Sequence, residues 1–165
     1  MLFRSTKKTG PGGGIDLSQF LPYRIAVLAR SLSEKLGAAY AGEGLTVPEW
    51  RVLAVVSQES AVAARDVVAR TPMDKMAVSR AVASLEKKGL VARRPASDRR
   101  VSAIELSQEG RRISRRVADI VLRFEADIVA ELTIAERDAF LTLLAKLENA
   151  ADRAETRRKA IRAAE

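Results

Sequence analysis

The feature that most constrains this chain is a change of hydrophobic period between residues 63 and 106. From 63 to 88 the apolar residues have helical spacing, and a short turn containing Pro72 interrupts them. Gly89 is a typical helix stop, and apolar and polar residues alternate after it. The pattern predicts a helix–turn–helix followed by a two-stranded hairpin, with strands at 90–94 and 101–106.

Two helices are predicted before this unit. The first covers 15–40, with apolar residues three or four apart and Pro22 in its first turn. The second opens at Thr46, which has capping-box spacing to Glu49, and ends near Ser60.

Two more helices are predicted after the hairpin. Ser107 is a suitable N-cap for a helix that runs to about Leu132, and Thr133 and Glu136 form another capping box. We expect fraying beyond Ala150, where the sequence is highly charged. The predicted fold class is mainly α with a small β-hairpin wing: a winged helix-turn-helix lobe plus a helical lobe.

The positive charge of the chain is concentrated in one region. Residues 65–116 contain 14 Lys and Arg against 6 Asp and Glu, and the rest of the chain carries 15 of each sign. A cationic field confined to one third of a chain is typical of a module that binds a polyanion. A solvated basic surface is the alternative.

The composition also excludes several classes of site. The chain has no Cys and no His, so it lacks disulfides, thiolate metal sites and the commonest general base. We therefore expect no metal, no cofactor and no enzymatic activity, although a small helical enzyme remains an alternative. No apolar run approaches membrane-spanning length, and residues 1–14 read as a disordered tail rather than a signal peptide. These absences favour a cytoplasmic protein.

The second helix of the helix–turn–helix has one apolar stripe and one polar face. We expect Thr71 to cap this helix, Pro72 to set its first φ angle, and Asp74 to face its positive end. The DNA-binding candidates are polar residues of this helix and basic residues of the hairpin. They are Lys75, Ser79, Arg80 and Lys87 on the helix, and Arg93, Arg94, Arg99 and Arg100 in the hairpin. We expect Asp98 to hold the hairpin loop in shape by pairing with Arg99 or Arg100.

The same stretch resembles the MarR family of bacterial regulators. The resemblance lies in LTVPEWRVLAVV and in MDKMAVSRAVASLEKKGLVARRPASDRRVSAIELSQEGRR. Its motifs are Ser79-Arg80, the Leu-Glu-x-x-Gly-Leu-Val run at 85–91, Asp98-Arg99-Arg100, and the Leu-Ser-x-x-Gly run at 106–110. They cover about residues 45–112, and the flanking helices match the family in length and order.

The resemblance implies a homodimer that represses transcription on near-palindromic double-stranded DNA. It implies a domain over 15–165, with a winged helix-turn-helix at about 45–106 and dimerisation helices at about 15–40 and 107–150. It also implies release from DNA by a small aromatic or phenolic effector; the family's cysteine-based peroxide sensing is excluded here. A winged helix used for protein contacts is the main alternative.

Four residues are candidates for an effector crevice. Tyr23 and Arg24 lie on the first helix, and Trp50 and Arg51 lie on the second. Trp50 at the start of a helix is also a natural core anchor, so both interpretations stay open.

Overall fold

The computed structural model describes residues 14–95 and 102–164. Its helices are α1 (Leu21–Ala39), α2 (Val47–Val56), α3 (Ala64–Arg70), α4 (Lys75–Lys87), α5 (Gln108–Val129) and α6 (Ile134–Ala164). A 3-10 turn, Ala41–Glu43, follows α1. Three short strands, β1 (Val62–Ala63), β2 (Val91–Pro95) and β3 (Ser102–Leu106), form an antiparallel sheet in the order β1-β3-β2. The predicted fold class is therefore confirmed.

The core lies between Tyr40 and Val117. It is built from α2, α3, α4, the sheet and the first turns of α5, with Leu53, Leu85 and Ile104 fully buried. The same stretch contains the helix–turn–helix. The most basic part of the sequence, residues 65–116, therefore belongs to the segment that forms the core.

The first helix begins later than predicted. It starts at Leu21 instead of residue 15, and residues 17–19 form a turn in which Asp16 accepts hydrogen bonds from the backbone and hydroxyl of Ser18. Proline is tolerated in the first turn of a helix but clashes with the carbonyl four residues back in its interior. Pro22 therefore fixes the start of α1 at Leu21, one residue before the proline.

The strand β1 was not predicted. It pairs Val62 with Ile104 and Ala63 with Ala103, and so ties the hairpin to the segment before α3. Two residues are too few for a period to be visible in a sequence. This pairing also explains why α2 ends at Val56 and not near Ser60, since the chain must turn to bring Val62 into the core.

The chain divides into two compact units, Met1–Leu122 and Arg123–Glu165. In the second unit α6 continues to Ala164, where fraying was expected beyond Ala150. Pairs one turn apart support its last turns: Lys159 contacts Glu155 at 2.6 Å, and the Thr156 hydroxyl donates to the Asp152 carbonyl. None of the described helices combines the length and hydropathy of a membrane span.

Candidate nucleic-acid interface

The turn between α3 and α4 is closed by a side chain at each end. The Thr71 hydroxyl donates to the Val67 carbonyl at 2.7 Å and so ends α3. The Asp74 carboxylate accepts from the Ala77 backbone N–H at 2.7 Å and so caps α4. Thr71 was predicted to cap α4, and this was wrong. An N-cap side chain reaches the amide three residues on, and Thr71 and Pro72 lie too far before Lys75.

Helix α4 has the two faces that its sequence predicts. Val78, Ala81, Val82 and Leu85 are buried. At its end Gly89 adopts a φ of +69°, which favours glycine, and the chain turns into β2. The opposite face is exposed and carries Lys75, Met76, Ser79, Arg80, Ala83 and Lys87.

The cations of α4 differ from those of the wing strands. Within the described residues, Lys75, Arg80 and Lys87 have no ion-pair partner. Arg93 and Arg94 have one each: Arg93 contacts Glu86 at 2.9 Å and Arg94 contacts Glu105 at 3.0 Å. Among the cations of α4 and of the wing strands, those that are available to an anionic partner therefore lie on the exposed face of α4.

The tip of the wing lies outside the described residues. Asp98, Arg99 and Arg100 belong to it, so their roles and the expected pairing of Asp98 with an arginine stay predictions from sequence. The strands on either side are described, with Arg93 opposite Ile104 and Arg94 opposite Ala103.

A buried carboxylate holds α4 against α2. Glu49 is only 2% exposed, and its Oε1 contacts Lys88 Nζ at 2.7 Å and accepts from the Ser84 hydroxyl at 2.7 Å. Its other oxygen accepts from the backbone N–H and the hydroxyl of Thr46, which is the capping box that the sequence predicts. One side chain therefore links the start of α2 to the last turn of α4.

The protonation state of Glu49 follows from these contacts. Burial opposes ionisation, but the hydrogen bonds from Lys88 and from the two hydroxyls outweigh it and lower the pKa of Glu49 to about 2. Lys88 completes the cluster by donating to the Gly44 carbonyl at 2.7 Å. The sequence indicated the cap but not the link to α4, which lies 35 residues away.

A second junction connects the end of α4 to the start of α5. Ser107 donates its hydroxyl to the Gly89 carbonyl and accepts from the Gly110 N–H, as an N-cap should. A Cβ on Gly110 would lie 1.9 Å from the Leu90 carbonyl oxygen, so only glycine permits this approach. The Leu-Ser-x-x-Gly motif therefore holds the start of α5 against the backbone of Gly89 and Leu90, where the wing begins.

A groove of about 450 Å³ runs between α3, α4 and β2. Its lining includes Lys75, Ser79 and Arg93, which were singled out from the sequence, and Arg65, which was not. Arg65 could have been identified from the sequence, because it is the first residue of the basic stretch and lies on the predicted short helix before the turn.

The four effector candidates do not converge within one chain. Trp50 packs against the core, with its ring centroid 5.8 Å from that of Tyr40, as a core anchor does. Arg51 donates to the Ser33 hydroxyl and lines a shallow groove with Val47 and Pro48. Tyr23 and Arg24 lie nine or ten residues earlier on α1 than Ser33, which is about 14–15 Å along a helix.

Known proteins resemble this chain in sequence and in fold. The family model described as the MarR family matches residues 43–101. The MarR/EmrR family transcriptional regulator from Acinetobacter sp. ADP1 is 31% identical, with a TM-score of 0.77 over 84% of this chain and 99% of that one. The HTH-type transcriptional repressor Rv2887 of Mycobacterium tuberculosis is 29% identical over 130 residues, which are 78% of this chain and 91% of that protein. CouR from Rhodococcus jostii RHA1, solved with p-coumaroyl-CoA, shares the fold at 21% identity and a TM-score of 0.69, over 79% and 93% of the two chains.

Proposed function

We propose that this chain, which belongs to the MarR family of winged-helix transcriptional regulators, acts as a homodimeric repressor on a near-palindromic operator. Family membership makes it a DNA-binding regulator and not an enzyme. The observation that carries the finer proposal is the exposed face of α4, where Lys75, Arg80 and Lys87 have no ion-pair partner among the described residues.

An α-helix fits the major groove of B-DNA, and the N-terminal half of such a helix usually meets the bases. Ser79 and Arg80 lie in that half of α4, and the guanidinium of Arg80 has the geometry to pair with guanine O6 and N7. Lys87 lies in the last turn and suits a phosphate. The Glu49 cluster supports this proposal because it holds α4 at one angle to α2.

The repressor role is proposed by analogy with the mycobacterial relative, whose name describes a repressor. The homodimer is proposed from the surface of α1 and α6. Large apolar side chains on both helices are about half exposed in the single chain, among them Leu28 at 51%, Phe140 at 52% and Leu141 at 53%. A soluble monomer rarely exposes so much apolar surface without a partner.

Salt dependence separates DNA binding from the alternative of a protein-contact module. If a dimer neutralises roughly 6–10 phosphates, its affinity should fall about 10³- to 10⁵-fold between 50 and 200 mM salt. The measurement is fluorescence anisotropy with labelled duplexes recovered from a randomised library. An affinity that does not change with salt would support the protein-contact module instead.

Arg80→Ala and Lys87→Ala form a matched pair on one helix. Arg80→Ala should cost about 1–3 kcal/mol per half-site and relax the preference at one base pair. Lys87→Ala should weaken all duplexes alike and reduce the salt slope by about 1 per site lost. Arg100→Ala, in the wing, should behave like Lys87→Ala. A uniform loss in Arg80→Ala would show that Arg80 binds a phosphate.

The homodimer is tested by a charge placed on its proposed face. Phe140→Asp should yield monomers in light scattering, because an unpaired carboxylate is costly to bury. Thr142→Asp adds the same charge on the opposite side of α6, about 200° around the helix, and should remain dimeric. A wild-type monomer at micromolar concentration would contradict the proposal.

Effector release is proposed for the groove that Arg51 lines between α1 and α2. The lining combines apolar side chains with two arginines; Arg30 is paired with Glu34 at 2.8 Å, so Arg51 is the cation that suits an aromatic carboxylate, and CouR, which shares the fold, was solved with p-coumaroyl-CoA. Titrating operator complexes with 4-hydroxybenzoate should release the wild type but not Arg51→Ala. Arg24→Ala, which changes α1 away from this groove, should be released like the wild type. Release of all three proteins at the same concentration would exclude Arg51.

A further inference from the structure

Met76 is exposed in a region where other large apolar side chains are covered. It lies on the first turn of α4 with 62% of its surface accessible. Within the described residues, the other large apolar side chains of comparable exposure lie in residues 15–28 or 122–161. Those lie on α1, α5 and α6 or in the segments next to these helices, so a partner chain bound there would leave Met76 uncovered.

The neighbours of Met76 indicate what covers it. Lys75 precedes it, and Ser79, Arg80 and Ala83 follow at three, four and seven residues, on the same side of the helix. The cations have no ion-pair partner among the described residues. These cations favour an anionic partner, and Met76 between them favours one that also presents an apolar group.

We propose that Met76 contacts the C5 methyl of a thymine in the major groove, and so selects thymine at one position of each half-site. The inference rests on the proposed function and deepens it. The thymine methyl is the apolar group that base pairs display in the major groove, and small apolar side chains contact it. Methionine is flexible and polarisable, so it adapts to such a contact.

The position of this thymine follows from helix geometry. Met76 and Arg80 are four residues apart, about 6 Å along the helix axis at 1.5 Å per residue. Successive base pairs are about 3.4 Å apart. The thymine read by Met76 should therefore lie within two base pairs of the guanine read by Arg80.

The test removes the methyl group from the DNA and the thioether from the protein. Duplexes are first recovered from a randomised library with the full-length wild type. Each thymine of the consensus is then replaced singly by deoxyuridine, which lacks the methyl and keeps the same hydrogen-bonding groups. Affinities are measured for the wild type, Met76→Ala, Met76→Leu and the matched control Ser79→Ala.

One deoxyuridine in each half-site should weaken binding by the wild type about fourfold per half-site, which is the effect of losing the burial of one methyl-sized group. Met76→Ala should bind the thymine duplex correspondingly weakly and should not respond to deoxyuridine. Met76→Leu should keep most of the response, and Ser79→Ala should keep all of it. Circular dichroism should show that the variants are folded, because Met76 is not part of the core.

The inference is wrong if Met76→Ala responds to deoxyuridine as the wild type does, or weakens both duplexes equally, as a contact to deoxyribose would. It is also wrong if no thymine in the consensus lies within two base pairs of the guanine affected by Arg80→Ala. In these cases the wild type still binds DNA with steep salt dependence, and the proposed function stands. If the wild type enriches no duplex, the proposed function fails, and this inference fails with it.

Discussion

The capping box that opens α2 and the one that opens α6 have the same local geometry and very different surroundings. Glu49 accepts from the Thr46 N–H at 2.7 Å, and Glu136 accepts from the Thr133 N–H at 2.9 Å. Glu49 is buried and binds Lys88 and Ser84 of the α4 segment, whereas Glu136 is exposed. The same four-residue motif connects two helices in the DNA-binding lobe, whereas at α6 it only caps the start of one helix.

The two regions differ in the same way in their apolar residues. The lobe between Tyr40 and Val117 buries its apolar side chains within one chain, while α6 has no buried residue among those described. We infer that the lobe obtains its stability from its own core and that α6 depends on a second chain.

The largest expected effect compares one leucine from each region. Leu85 is fully buried, so Leu85→Ala should lower the free energy of unfolding by about 2–5 kcal/mol. Leu147 on α6 is 42% exposed in the single chain, and Leu147→Ala should mainly raise the dissociation constant of the proposed dimer. Urea denaturation and sedimentation equilibrium measure the two quantities. If Leu147→Ala lowered stability as much as Leu85→Ala without changing self-association, the comparison would be wrong.

The next effect separates the two glutamates by pH. The pKa of Glu49 is about 2 in the folded protein against an ordinary value of 4.5. Its ionisation therefore contributes stability that is fully present above about pH 4.5 and is lost as the pH falls towards 2. The difference corresponds to about 3 kcal/mol at 1.36 kcal/mol per pKa unit.

Glu49→Gln isolates this contribution from that of other carboxyl groups. The stability difference between the wild type and Glu49→Gln should be constant above pH 5 and shrink on acidification, in urea titrations at several pH values. The pKa of Glu136 is also lowered, by hydrogen bonds from Thr133, but solvent screens this exposed group. Glu136→Gln is therefore the control and should give a small difference at every pH. Equal pH dependence in both variants would show that burial of Glu49 is unimportant.

The smallest effect compares the two threonine caps. Removal of an N-cap hydroxyl costs about 0.5–2 kcal/mol. Thr46→Ala should lie near the upper end because it also removes a donor from the buried Glu49, and Thr133→Ala should lie near the lower end. Thermal unfolding followed by circular dichroism measures both. The reverse order would indicate that the Glu49 cluster adds nothing to the local cap.

The features that were correctly predicted depend on residues close together in the chain. The apolar stripe of α4, the turn at Gly89, the Ser107 cap and both capping boxes each involve residues within a few positions, so spacing alone identifies them. The error at Thr71 also concerns residues close together in the chain. Thr71 and Asp74 are both suitable N-cap residues three positions apart, and only the observed start of α4 shows which of them is the cap.

The features that were missed join residues that are distant in sequence. The pairing of Val62 with Ile104, and the contact of Glu49 with Ser84 and Lys88, span 35 residues or more. Hydrophobic periodicity cannot identify such partners, because it shows which face of a helix or strand is apolar but not which element packs against that face. The position of Met76 opposite the apolar stripe of α4 is visible in the sequence, but only the tertiary structure shows that no other described element covers it.

The amino-acid sequence by itself determined the order of the six helices and the hairpin, the helix starts set by Thr46 and Thr133, and the charge of the α4 region. These follow from local backbone restrictions, short hydrogen bonds and composition. Only the tertiary structure decided which cations stay unpaired, because Glu86 and Glu105 reach Arg93 and Arg94, and Glu49 reaches Lys88, while among the described residues none reaches Arg80. Ion pairing depends on distances of a few ångströms between side chains, and folding sets those distances.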